Sequence, residues 1–141
     1  MPQANPQNPG TGQPEAATIL VVEDEVLVRL MISEYLREFG YNVVEANNAA
    51  EATQILQSEE PVEVVFTDIR MAGEMDGLAL AQWIGQNKPG VGVVLTSAYF
   101  PPADLAVQSR ADTEIVAKPY TPCEVLNRIR ALIRFSTSQG V

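Results

Sequence analysis

Apolar positions along this chain switch between two spacings. Residues 19–22 form a short unbroken apolar run, as expected for a strand covered on both faces. Over 26–39 the spacing becomes helical: Val28, Met31, Ile32, Tyr35, Leu36 and Phe39 form one stripe, and Gly40 supplies the stop. Val43 and Val44 mark a weaker second strand. Asn48, with Glu51 three residues on, opens a helix running to about Gln57. The third strand covers 62–67 and ends at Asp68; a loop over 69–77 leads to a helix over 78–86, closed by Lys88-Pro89-Gly90. The fourth strand covers 91–95 and ends at Thr96, and Pro101-Pro102 opens a short, weakly marked helix. The fifth strand is 115–117. Thr121-Pro122-Cys123-Glu124 then places a capping Thr, a Pro at the first helical position and a Glu third, starting a helix that runs to about Phe135.

The order is strand then helix, five times over. That alternation predicts an α/β fold: a doubly wound, five-stranded parallel sheet with helices on both faces and the flavodoxin-like strand order 2-1-3-4-5. The domain is expected to span 18–135. Residues 1–17 are dominated by Pro, Gly and short polar side chains, which cannot offset their ordering entropy and read as a disordered tail. Residues 136–141 read as a frayed end.

Composition narrows the chemistry. The chain has 141 residues, 46% of them hydrophobic, enough for one core. It has no His, which excludes imidazole metal sites and Ser-His triads, and its single Cys123 excludes an internal disulfide. A formal net charge of -9 argues against nucleic acid as a partner. There is neither a basic-then-apolar leader nor an apolar run of the roughly 20 residues a membrane helix needs, so a cytoplasmic protein with no membrane partner is expected.

In folds of this kind ligands bind beyond the carboxyl ends of the strands, where strand order reverses. The first strand ends in Glu23-Asp24-Glu25, the third in Asp68, the fourth in Thr96-Ser97 and the fifth in Lys118. Each alone has a plain explanation as a helix cap, a turn residue or a solvated lysine. Together, carboxylates that repel one another call for a cation, and hard oxygen donors select Mg2+. Lys118 and Thr96 add a positive charge and a hydroxyl donor, so the set suits phosphoryl transfer to Asp68 as nucleophile.

The segments ILVVEDE (19–25), VVFTDIRM with MDG (64–77), VVLTSA (93–98) and VAKPY (116–120) resemble the four signature segments of the response-regulator receiver domain of two-component signalling. The resemblance covers about 18–135. It implies that Asp68 accepts a phosphoryl group from a histidine kinase or phosphotransfer protein, with Thr96 as switch hydroxyl and Lys118 as charge partner. It also implies that Glu23, Asp24, Asp68 and the backbone carbonyl of Arg70 hold Mg2+, and that the Lys118-Pro119 bond is cis. Two departures stand out. Ile115 occupies the place of the usual rotating aromatic, and 71–75 lacks the common proline. The reporter of phosphorylation is therefore expected at 97–102, through Tyr99 and Phe100, the alternative being that both rings simply cover the end of the sheet.

Nothing after Phe135 reads as an output domain, so a stand-alone receiver is expected, monomeric or weakly dimeric, that acts by protein contact on an unidentified target or serves as a phosphoryl relay or sink. Arg128, Arg130 and Arg134 on the last helix form a candidate docking face, or simply favourable charge near a helix end. Two rival classes fit less well. A haloacid-dehalogenase-type phosphatase needs an acid where Arg70 stands, and a flavin binder needs a phosphate loop where Glu23-Asp24-Glu25 would repel it.

Overall fold

The computed structural model describes residues 16–70, 75–97 and 113–140, with side chains in the last stretch described up to Ile133. The elements are β1 (Thr18–Val22), α1 (Val26–Glu38), β2 (Asn42–Ala46), α2 (Ala49–Gln57), β3 (Val62–Asp68), α3 (Gly77–Asn87), β4 (Gly92–Ser97), β5 (Thr113–Ala117) and α4 (Pro122–Gly140). The five strands form one parallel sheet in the order β2-β1-β3-β4-β5, as expected from the alternation. The helix expected after Pro101-Pro102 and the rings of Tyr99 and Phe100 lie outside the described residues.

β1 shows why a continuous apolar run becomes a central strand. Its five residues are all buried. Ile19 and Val21 point into one core with Ile32 and Leu36 of α1 and Leu126 and Ile129 of α4. Leu20 and Val22 point into the other, with Ala52 of α2 and Leu80 and Ile84 of α3. The period-2 geometry of a strand thus feeds two separate cores from one segment.

Local chemistry sets the helix starts. Asn48 Oδ1 accepts from the Glu51 amide at 2.8 Å, while Glu51 Oε1 accepts from the Asn47 amide at 2.6 Å. At α4 the exchange is reciprocal: Glu124 N donates to Thr121 Oγ1 at 3.2 Å and Thr121 N to Glu124 Oε1 at 3.0 Å. α3 begins earlier than the periodicity indicated because Asp76 caps it, its Oδ1 accepting from the Ala79 amide at 2.9 Å. α4 runs to Gly140 rather than ending at about Phe135.

The α1 stripe differs from the one the apolar residues drew. Ile32, Ser33 and Leu36 are buried, whereas Met31 and Phe39 are 49% and 47% exposed. The inward face is Arg29, Ile32, Ser33 and Leu36, which also has helical spacing but contains a cation and a hydroxyl. Hydrophobicity alone therefore rotated the stripe. Replacing Leu36 by Ala should cost about 2–5 kcal/mol of stability because it opens a cavity. Met31→Ala should stay within about 0.5 kcal/mol. Denaturant unfolding of the two variants checks the orientation of α1.

Candidate functional site

The sheet order makes β1 and β3 neighbours, so the residues that follow one and end the other meet at the same edge. A pocket of about 530 Å³ opens there, lined by Glu23, Asp24, Glu25, Val28, Met31, Asp68, Lys118, Pro119 and Tyr120. Four residues singled out from the sequence, Glu23, Asp24, Asp68 and Lys118, are thus brought together.

Asp68 is held from two sides. Lys118 Nζ donates to Asp68 Oδ2 at 2.5 Å, and the Arg70 amide donates to Oδ1 at 3.1 Å. The Asp68 side chain is 12% exposed and that of Lys118 36%, so this ion pair is less screened than a surface bridge. Lys118 reaches Asp68 because β5 ends one residue earlier and the Lys118 amide donates to the Ser97 carbonyl at 2.8 Å. The Lys118-Pro119 bond is cis. Thr96 is the direct register partner of Asp68 across β3 and β4 and is buried, but it is not among the residues that line the pocket.

Glu23 is the buried acid of the set. Burial pushes its carboxyl above the ordinary 4.5, the hydrogen bond from the Glu25 amide opposes that, and Asp24 and Asp68 add to the rise. Tyr120 closes the pocket floor, edge-on to Phe66 with ring centroids 6.0 Å apart. Burial and the negative charges of Glu23 and Asp68 push its hydroxyl up to about 12.

The donors suit a hard divalent cation: they are carboxylate oxygens, with no imidazole or thiolate in the pocket. Among the described residues no three such side chains already close into a metal cage. The fit rests instead on the donor set, because a cation among Glu23, Asp24 and Asp68 would offset both the burial of the Glu23 carboxylate and the negative charges beside it.

A family model for the response regulator receiver domain matches residues 19–130. The chain belongs to this family. Its relatives include the transcriptional regulatory protein AruR of Pseudomonas aeruginosa, 35% identical over 122 residues that make up 82% of this chain and 49% of AruR. The probable transcriptional regulatory protein TcrX of Mycobacterium tuberculosis is 34% identical, over 87% of this chain and 51% of TcrX. The chain therefore spans about half the length of the curated relatives it matches. Among solved structures, a receiver protein from Sinorhizobium medicae superposes with a TM-score of 0.78 at 27% identity, covering 86% of this chain and 98% of that one. The receiver domain of NtrX from Brucella abortus gives 0.68 at 32% identity, covering 81% and 97%. No helix among the described residues is long and apolar enough to cross a membrane.

The receiver site contains residues that pattern reading passed over. Gly77 looked like a loop glycine, yet a Cβ there would lie 1.8 Å from the Asp68 carbonyl oxygen, and its amide donates to the Ile69 carbonyl at 2.8 Å. Only a glycine lets α3 start this close to the end of β3. The docking cations fare unevenly: Arg128 pairs with Glu114 at 3.1 Å, Arg130 lies 5.5 Å over the Phe39 ring, and the Arg134 side chain is outside the described residues. Ile115 is half-buried against the α2–α3 core.

Gly77→Ala should destabilise the fold by roughly 1–3 kcal/mol, the usual cost of overpacking, and thermal unfolding will register it. Glu23 allows a pH test. Its folded value is raised, so folding favours the protonated form. Stability from this group is present below 4.5 and is lost as pH rises through the raised value. At neutral pH and without divalent cations, Glu23→Gln should therefore raise the melting temperature relative to wild type, and the gap should close as the pH falls below 4.5.

Proposed function

We propose that Asp68 is the phosphoacceptor of a two-component signalling pathway, receiving its phosphoryl group from a histidine kinase or phosphotransfer protein. The observation that carries this reading is the Asp68 carboxylate, held between Lys118 Nζ and the Arg70 amide at the mouth of a pocket walled by Glu23 and Asp24. In the transfer, an Asp68 carboxylate oxygen forms a bond to phosphorus while the bond from phosphorus to the donor imidazole nitrogen breaks, and the nitrogen keeps the electron pair. Glu23, Asp24, Asp68 and the Arg70 carbonyl would hold Mg2+, which neutralises charge on the moving group's oxygens when bound. Lys118 exchanges its contact with the carboxylate for one with a phosphoryl oxygen, and Thr96, beside Asp68 in the sheet, supplies its hydroxyl to another. The result is an acyl phosphate and a phosphoacceptor protein rather than a turnover enzyme. Its output travels by protein contact.

The donor protein has a place to sit. Val26, Leu27, Leu30 and Met31 of α1 are 53%, 78%, 42% and 49% exposed, and Met31 also lines the pocket. This apolar face runs to the pocket mouth, where a protein delivering a phosphoryl group must approach.

Incubation with a small phosphodonor and Mg2+ should add one base-labile phosphoryl group, detected by intact mass. Asp68→Asn or chelation should abolish it, and undiminished labelling of Asp68→Asn would overturn the assignment. Leu27→Asp should slow phosphoryl transfer from a protein donor at least about tenfold, the effect of losing one well-packed anchor, and leave labelling by the small donor unchanged.

A further inference from the structure

Arg29 occupies a place where α1 turns inward, four residues beyond the acidic turn. Its side chain is only 16% exposed. Nη1 donates to the Glu23 carbonyl at 2.7 Å and to Asn47 Oδ1 at 3.1 Å, and Nε donates to Glu45 Oε1 at 3.1 Å. These acceptors belong to three separate pieces: the turn after β1, the loop before α2 and β2 itself. Arg37 takes the other Glu45 oxygen at 3.1 Å, so Glu45 is fixed from both sides. The Glu23 amide donates to the Ala46 carbonyl at 3.1 Å. Glu23 is thus tied to the β2 side through both its amide and its carbonyl, which leaves its side chain and that of Asp24 to line the pocket.

A half-buried guanidinium loses hydration that its partners must replace, and packing alone would be served as well by an apolar side chain. We propose that Arg29 is a positioning residue for cation binding beside Asp68, acting by holding the main chain of the Glu23–Asp24 turn. The inference rests on Asp68 being the phosphoacceptor. Two effects of Arg29 oppose each other. Its charge repels an incoming cation, while its fork orients the ligands that bind one. Pairing with Glu45 cancels most of the charge at a distance, so the orienting effect is the larger. A lysine keeps the charge but has no planar fork to span three acceptors.

The intact chain, Arg29→Met, Arg29→Lys and Arg37→Gln are compared by two measurements. One is the Mg2+ concentration giving half-maximal labelling by a small phosphodonor; the other is Mg2+ affinity by calorimetry. Groups that orient metal ligands are typically worth 10–100-fold in affinity, so Arg29→Met should bind Mg2+ about tenfold more weakly while labelling at saturating Mg2+ stays within about twofold. Arg29→Lys should shift in the same direction. Arg37→Gln, which meets Glu45 from its outer side and also bonds Glu34 and the Val43 carbonyl but touches nothing at the Glu23–Asp24 turn, should lower the melting temperature without moving Mg2+ affinity. Unchanged affinity in Arg29→Met, or full recovery in Arg29→Lys, overturns the inference. If Arg29→Met fails to fold, Glu45→Gln and Asn47→Ala replace it, and unchanged affinity in both overturns the inference equally. A wild-type chain that takes no phosphoryl group on Asp68 overturns the functional reading instead.

Discussion

Glu23, Asp24 and Asp68 place three carboxylates in one pocket, and the neighbouring groups are arranged around their mutual repulsion. A parallel sheet brings the same ends of its strands together, so acids following β1 and ending β3 cannot avoid one another. The protein answers with a lysine from beyond β5, with backbone amides from Arg70 and Glu25, and with a guanidinium behind the turn. These groups leave Glu23 still raised above its ordinary value. Burial is the largest cause of that rise, and the negative charges of Asp24 and Asp68 add to it.

The scaffold keeps this cluster in place by separating its supports. Side chains on one face of the sheet pack with α1 and α4, and those on the other with α2 and α3. The pocket walls come from the ends of β1, β3 and β5 and from Val28 and Met31 of α1.

Much of the fold was legible in the sequence because period and punctuation agreed. The run over 19–22, the Asn48 and Thr121 starts and the strand ending at Asp68 all emerged within a residue or two of their observed bounds. The site was legible because its acids and lysine fall at strand ends, where topology alone decides which residues meet. What escaped was whatever apolar counting cannot see. Arg29 and Ser33 belong to the inner face of α1 although neither is hydrophobic, so the stripe was drawn through Met31 and Phe39 instead. An arginine at helical spacing with Ile32 and Leu36 was the available clue. Gly77 escaped because closeness between a helix start and a strand end is a three-dimensional fact with no local signature beyond the Asp76-Gly77 pair.

That close approach has a mechanical meaning. With the Gly77 Cα against the Asp68 carbonyl and its amide bonded to Ile69, the end of β3 and the start of α3 form a rigid coupling rather than a hinge. The Gly77 contacts bypass the connecting loop, so the end of β3 and the first turn of α3 abut directly. A side chain added at residue 77 would thus push on Asp68 itself, so space for the carboxylate's own backbone depends on a hydrogen atom at the head of α3.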